Sequence, residues 1–364
     1  MPGLAPGPLA GLVELPRRPG DMPPPTDGYW TGRELLFWGV VDPPGSAPVA
    51  IGAALDPATG TWRTIPDSPH PIVPSEGAGV AWTGEELIVC CGLPTTGAAA
   101  YDPDSDTWRR LPDAPVSGYA TATWTGSELI VVTADGAASY NPDINTWQRL
   151  PFDEENTAVP PVQATLLAES VWTGSKLIVW PKPPSRTTLV ASMYDPETRR
   201  WQRLPAPPNG AWPAVASIAW TGKELVVLGG LPAAGVAESE RLVGARFDLD
   251  SMDWIPLPEP LPEPDSCECN LGSQRLLWTG DTLLVHVGAL ASGYDRVDGA
   301  LLAYNPRDDS WELVGDDRGT VLTPVANVGD RVLLAGTDQG LYLSEPHWEP
   351  PGTAVPADGL RVVS

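Results

Sequence analysis

The chain has 364 residues, of which 44 are Pro, 37 Gly and 16 Trp against only 3 Phe and 3 His, and its formal charge is −24. A polyanion with a pI near 4.3 is repelled by phosphate backbones and anionic lipid, so neither nucleic acid nor a membrane surface is an expected partner. With 42% hydrophobic residues the chain can bury a core, and the abundant Pro and Gly are read as turns rather than disorder.

No apolar run reaches the ~18–20 residues that span a bilayer. The opening segment from Met1 to Pro8 lacks the basic stretch and unbroken apolar core of a signal peptide. The chain as written is therefore expected in the cytoplasm, or exported if a leader was removed. Four cysteines, as Cys90-Cys91 and Cys267-Glu268-Cys269, are too few for a disulfide scaffold of this length.

In chain order, the first predicted strand is Leu12-Val13-Glu14-Leu15-Pro16. Its Leu-Pro ending matches that of Trp108-Arg109-Arg110-Leu111-Pro112, the end of a later repeat. It is expected to complete the last unit of a repeating fold from outside, which removes an open sheet edge. The competing segments are Trp348 to Pro351 and Leu360 to Val363.

The repeat itself begins at Trp30. Trp-Thr-Gly recurs at Trp30, Trp82, Trp124, Trp172, Trp220 and Trp278, each time followed by two residues and an apolar run such as Leu129-Ile130-Val131-Val132. A decayed seventh copy starts at Asn327; successive separations are 52, 42, 48, 48, 58 and 49. A second signature follows each of the first six at variable distance, as in Tyr101-Asp102-Pro103 to Trp108, Tyr140-Asn141-Pro142 to Trp147 and Tyr304-Asn305-Pro306 to Trp311.

Each unit reads as four short strands. A strand of small residues ends at Trp and meets a Thr-Gly turn, where Gly supplies the positive φ a tight hairpin needs. An apolar second strand leads through a variable connection to a third strand ending at Tyr-Asp-Pro, and the fourth begins near the second Trp and is stopped by Pro. Such a unit cannot bury both faces alone, so units must stack side by side.

With these motifs, together with the Leu225-Val226-Val227-Leu228-Gly229-Gly230 second strand, the chain resembles the Kelch-repeat β-propeller family, whose architecture also forms the central domain of galactose oxidase. The resemblance implies an all-β, seven-bladed propeller with four antiparallel strands per blade. It implies one domain over 1–364, with repeats over about 26–350, a closing strand at 12–16 and a tail at 352–364. The paired Gly of the family survives only at Gly229-Gly230; Cys90-Cys91 and Trp180-Pro181 stand in its place elsewhere. The copper site of galactose oxidase needs two His, two Tyr and a Cys cross-linked to a Tyr. That set cannot be placed residue by residue here, so no cofactor is expected.

In a propeller of this strand order, the Thr-Gly and Asp-Pro turns share one face and the variable connections share the other, where function concentrates. Binding candidates on the variable face are Asp153, Glu154, Glu155, Arg186, Tyr294, Asp295 and Arg296, with Lys182, Glu238, Glu240, Arg241 and Asp298 nearby in sequence. Catalytic candidates are Glu169, Arg275, Glu76 and His286. Glu169 and Arg275 each lie three residues before a repeat Trp, on innermost strands where other copies mostly carry Gly, Ser or Thr, and they are expected near the central channel.

His286 stands where other copies carry apolar residues or Cys90, so a satisfied core histidine competes with an acid/base role. Cys267 and Cys269 are the weak metal candidates. Asp102-Pro103-Asp104-Ser105-Asp106 resembles the start of a calcium loop but lacks its Gly and closing Glu.

Two functions remain open. One is a binding propeller presenting its loop-rich face to a protein, peptide or glycan; the other is a small-molecule enzyme of isomerase, cyclase or lyase type at the channel mouth. A monomer is expected in either case.

Overall fold

The structure, a computed structural model, describes residues 11–20, 27–41, 49–70, 77–91, 97–133, 135–151, 167–182, 191–205, 216–232, 240–258, 273–290, 297–314, 321–336, 339–350 and 352–354. Among them there are strands and turns but no helix. The strands form seven antiparallel sheets of the order first, second, third, fourth, which are the blades of a β-propeller. The chain groups into two compact units, Arg18–Pro205 and the combination of Met1–Arg17 with Ala206–Ser364.

The first unit holds blades one to four. Blade one is β2 (Gly28–Trp30), β3 (Leu35–Val41), β4 (Val49–Asp56) and β5 (Thr61–Ile65); blade two is β6 (Gly79–Trp82), β7 (Leu87–Cys90), β8 (Ala98–Asp102) and β9 (Thr107–Leu111). Blade three is β10 (Ala120–Trp124), β11 (Leu129–Thr133), β12 (Gly136–Asn141) and β13 (Thr146–Arg149). Blade four is β14 (Leu167–Trp172), β15 (Leu177–Lys182), β16 (Ser192–Asp195) and β17 (Arg200–Arg203).

The second unit holds blades five to seven. Blade five is β18 (Ala216–Trp220), β19 (Glu224–Pro232), β20 (Glu240–Asp248) and β21 (Asp253–Pro256). Blade six is β22 (Ser273–Trp278), β23 (Leu283–Leu290), β24 (Val297–Asn305) and β25 (Ser310–Val314). Blade seven is β26 (Leu322–Val328), β27 (Arg331–Gly336) and β28 (Leu341–Ser344), completed by the N-terminal β1 (Leu12–Leu15), which pairs antiparallel with β28 from Leu12↔Ser344 to Leu15↔Leu341. The Leu-Pro ending thus marked a fourth strand correctly. The segment after Pro350 behaves differently from a plain tail: β29 (Gly352–Ala354) adds a fifth strand to blade six by pairing with β25.

The core lies between consecutive blades. Second strands such as Leu87–Cys90 and Leu129–Thr133 are buried along their whole length because both sheet faces are covered by neighbours. One apolar cluster joins Ile88, Cys90, Ala98 and Ala100 of blade two to Leu129, Val131 and Tyr140 of blade three; another joins Val226 and Leu228 of blade five to Leu283, Val285 and Tyr304 of blade six. This explains continuous apolar runs where a sheet with one wet face would alternate.

The two sequence signatures have separable structural roles. In the Trp-Thr-Gly turn, Gly32 has φ +97° at the first central position, and the Thr31 hydroxyl both donates to the Glu34 carbonyl at 3.0 Å and accepts from the Glu34 amide at 2.9 Å. In the second signature, the acid or amide side chain caps the turn: Asp102 Oδ1 accepts from the amide of Asp104 at 2.8 Å. The aromatic pair that follows is directly cross-strand, Tyr101↔Trp108 in blade two and Tyr304↔Trp311 in blade six, with ring centroids 5.3 and 4.8 Å apart.

The Leu-Pro ending serves the next blade. Trp108 Nε1 donates to the Pro66 carbonyl at 2.7 Å, Trp147 Nε1 to Pro112 at 2.8 Å and Trp311 Nε1 to Pro258 at 3.1 Å. Each bond crosses from one blade to the end of its predecessor, so each indole buries an apolar body between blades and satisfies its N–H at the rim.

Candidate functional site

Topology places the Thr-Gly and Asx turns at one end of blades one to six and the connections between second and third strands at the other. At the turn end several charged residues are engaged with one another. Arg63 of blade one donates through Nε and Nη2 to both oxygens of Glu34, at 3.2 and 2.8 Å, and through Nη1 to Tyr101 at 3.0 Å and Asp106 at 2.8 Å in blade two. Tyr101 in turn donates to Asp106 at 2.6 Å. Burial and then the bond to Asp106 push the Tyr101 phenol up to about 12.

The same latch recurs with changed parts. Arg109 holds Glu86 and reaches Tyr140 of blade three, whose hydroxyl donates to Asn145. Between blades three and four, Arg199 occupies the turn position of Asp106 and donates to Gln148 at 3.0 Å. In blade five the guanidinium comes from the third strand: Arg246, the cross-strand partner of Ile255, sits 3.6 Å from Glu224 and 3.7 Å from Asp309 of blade six.

Residue-by-residue reading of the sequence missed this network. Its signal was present in the Glu of Trp-Thr-Gly-x-Glu and the Arg after Trp62 and Trp108. In the stretch that resembles the start of a calcium loop, Asp102 caps its own turn and Asp106 accepts from Arg63 and Tyr101.

Of the catalytic candidates, His286 and Arg275 are brought together in one cross-strand pair of blade six. Arg275 Nε donates to the Pro324 carbonyl of blade seven at 2.7 Å, at the bulge where the β26–β27 register shifts between Pro324 and Ala326. His286 Nδ1 lies 3.2 Å from the Thr323 hydroxyl and 3.3 Å from the Leu322 carbonyl. Burial, with the Arg275 charge adding to it, holds the imidazole below its ordinary value and outweighs the hydrogen bond to Leu322. The result is a neutral ring seated between two blades, with one nitrogen committed to the backbone side.

Glu169 is half-buried on β14, opposite Trp180. It belongs to the other unit from Arg275. Beside it, the Ser170 hydroxyl lies 2.6 Å from those of both Thr121 and Thr123 on the adjacent first strand. Glu76, Asp153, Glu154, Glu155, Arg186, Tyr294, Asp295, Arg296, Glu238, Cys267 and Cys269 lie outside the described residues. Lys182 ends β15, Glu240 and Arg241 pair with Pro232 and Leu231, and Asp298 pairs with Ala289, all at the connection end of their sheets.

Among the described residues no group of three or more His, Cys, Asp or Glu could hold a metal ion. Of the three histidines, His70 is buried in the unit of blades one to four and held below its ordinary value chiefly by that burial. His347 is exposed and lies 3.7 Å from Asp330 in the other unit.

No family model matches the chain, and no curated protein matches it. Among solved structures it is similar to a fungal alcohol oxidase of the AA5 family, determined in complex with copper. The TM-score is 0.62 at 14% identity, over 96% of this chain and 77% of that one. This likeness establishes the propeller fold. At such identity it carries nothing about activity.

Proposed function

We propose that the chain is a binding propeller that takes a protein, peptide or glycan ligand at the connection end of its blades. The observation that carries this reading is the overgrowth of three hairpins. In blade two the second and third strands stop pairing at Cys90↔Ala98, eight residues after the repeat Trp; in blade one they continue to Val41↔Val49, eleven residues after it, and in blades five and six to Pro232↔Glu240 and Leu290↔Val297, twelve residues after it. Ladders that outrun the blade body hold connecting segments on a rigid base, the usual placement of binding residues. The opposite end carries the Arg63, Arg109 and Arg246 latches, which reach from one blade to the next.

The test is to replace residues 231–241 with an Asn-Gly turn joining Gly230 to Leu242, which remain a register pair. Wild type and variant are compared on peptide and glycan arrays, with unfolding midpoints as a check of the fold. Loss of array binding with an unchanged midpoint supports the reading. Equal binding by both, or none by either, rejects it.

One observation favours the enzyme reading: the neutral imidazole of His286 lies in register with the Arg275 cation, a pairing suited to proton transfer on a small anionic substrate. A thermal shift given by a small carboxylate or phosphate to wild type and not to Arg275→Ala would support isomerase, cyclase or lyase chemistry there. No shift across such compounds would reject it.

A further inference from the structure

Cys90 ends β7 and Cys91 follows it, both inside the cluster that joins blades two and three, and neither thiol is reached by solvent. The Cys91 Sγ lies 3.0 Å from the Cys90 Sγ. Cys91 has φ +63°, a left-handed conformation rare for a residue other than Gly. Its amide donates to the Gly97 carbonyl at 3.1 Å and so closes the base of the β7–β8 connection, at the connection end of blade two. A buried residue with no need for a thiol would be served by Ala or Val, as Val132 serves at the position equivalent to Cys90.

We propose that the Cys90-Cys91 pair is a reversible redox site, a dithiol that peroxide converts into a vicinal disulfide. One sulfur attacks a peroxide oxygen, which breaks the O–O bond, forms S–OH and releases one water. The neighbouring sulfur then displaces the hydroxyl, forming S–S and releasing a second water. The two thiols lose two electrons and two protons, and one hydrogen peroxide becomes two waters. Burial selects an oxidant of this size, since no protein disulfide reaches the pair in the folded chain.

Reversibility follows from geometry. Neighbouring Cα atoms are about 3.8 Å apart across a trans peptide, closer than the roughly 4.4–6.8 Å that a relaxed disulfide spans. The ring is therefore strained, and strained disulfides are the readily reduced, regulatory ones. The contact with Cys91, and burial after it, push the Cys90 thiol up, so the attacking sulfur is a small thiolate fraction and the reaction with peroxide is slow. Drawing the sulfurs together alters their packing on Leu129, Val131 and Tyr140 and the Cys91–Gly97 closure, so oxidation is sensed both between blades and at the connection end. The inference does not depend on the binding reading.

The experiment uses the full chain, reduced under nitrogen, exposed while folded to stoichiometric hydrogen peroxide, then unfolded in denaturant, alkylated and digested with trypsin. No Lys or Arg lies between 64 and 108, so Cys90 and Cys91 share the peptide 64–109, while Cys267 and Cys269 lie in 247–275. The expected result is a 64–109 peptide lighter by two hydrogens and unalkylated, restored to a doubly alkylated dithiol when trimethylphosphine, a small uncharged reductant, is added to the folded protein before unfolding and alkylation. A Cys267→Ala/Cys269→Ala variant gives the same result, and Cys91→Ser abolishes the loss. A 64–109 peptide that stays doubly alkylated, gains oxygen, or is cross-linked to 247–275 overturns the proposal.

Discussion

The Arg109 guanidinium grips both carboxylate oxygens of Glu86, at 2.7 and 2.6 Å, while its remaining nitrogen reaches the Tyr140 hydroxyl of the next blade at 3.3 Å. The equivalent pair one blade earlier, Arg63 and Glu34, is better buried, with the Glu34 side chain 9% exposed against 22% for Glu86. That difference ranks the two substitutions. Arg63→Met strands a desolvated carboxylate and is expected to cost about 2 kcal/mol, below the usual range for fully buried pairs because Arg63 is partly wet. Arg109→Met is expected to cost about 1 kcal/mol. Urea unfolding of both variants checks the order; an equal or reversed cost would show that burial of the acid does not decide the latch.

Acid should weaken the fold in a defined direction. The bond to Arg63 holds Glu34 below the ordinary carboxylate range; turn amides do the same for Asp56 and Asp248, and the Ser105 hydroxyl does so for Asp102. Groups with depressed folded values bind fewer protons folded than unfolded, so stability is fully present above the unfolded value and falls as pH drops through the folded one. The urea midpoint should therefore decline below about pH 4.5, the ordinary Glu value, and Glu34→Gln should flatten part of that decline. An unchanged profile would remove Glu34 from the account.

His286 carries the same sign for a different reason. Its folded value is lowered by burial, so between the folded value and the ordinary imidazole value the unfolded chain binds the proton and the folded chain does not. Stability is lost as pH falls through that window, and His286→Leu should remove the slope there. An imidazole NMR titration should place its midpoint below the ordinary histidine value; a midpoint above it would contradict the seating of the ring.

Trp108→Phe keeps the ring packed on Tyr101 but deletes the N–H that donates to Pro66. The expected cost is about 1 kcal/mol, that of one hydrogen bond. Trp108→Ala, which also empties an aromatic site, is expected to cost about 3 kcal/mol or more. Denaturant midpoints separate the two; equal costs would mean that the indole N–H contributes nothing.

Two glycines with left-handed φ separate backbone strain from close approach. A Cβ at Gly84 (φ +101°) meets open space, whereas one at Gly77 (φ +76°) would overlap Cδ1 of Tyr119 and fall 2.8 Å from its Cα. Gly84→Ala should cost roughly 1 kcal/mol from conformation alone. Gly77→Ala should cost at least ~1 kcal/mol more, because backbone of the neighbouring blade must move. Comparable thermal midpoints would refute the crowding at Tyr119.

The repeat was legible because its periodic parts are local. Trp30-Thr31-Gly32 makes its own turn from one hydroxyl and one positive φ, and Asp102 caps the two amides just ahead of it. The Leu15-Pro16 ending identified the strand that completes blade seven. The latches were not legible in the same way, because their partners are 29 residues apart for Arg63 and Glu34 and 38 for Arg63 and Tyr101. The same cross-strand site is filled from the fourth strand in blade two and from the third in blade five, so no fixed spacing announces it.

By itself, then, the sequence determined seven hairpin sheets, where each turn lies and which strand closes the last blade, since turn chemistry and apolar periodicity act within a few residues. Only tertiary structure decided what the charges do. It paired Asp106 with Arg63, set His286 beside Arg275 and Thr323, and gave Gly352–Ala354 a place on the edge of blade six. The physical reason is range: a side chain's pairing and burial depend on which distant blade packs against it, and packing of one blade on the next supplies those neighbours.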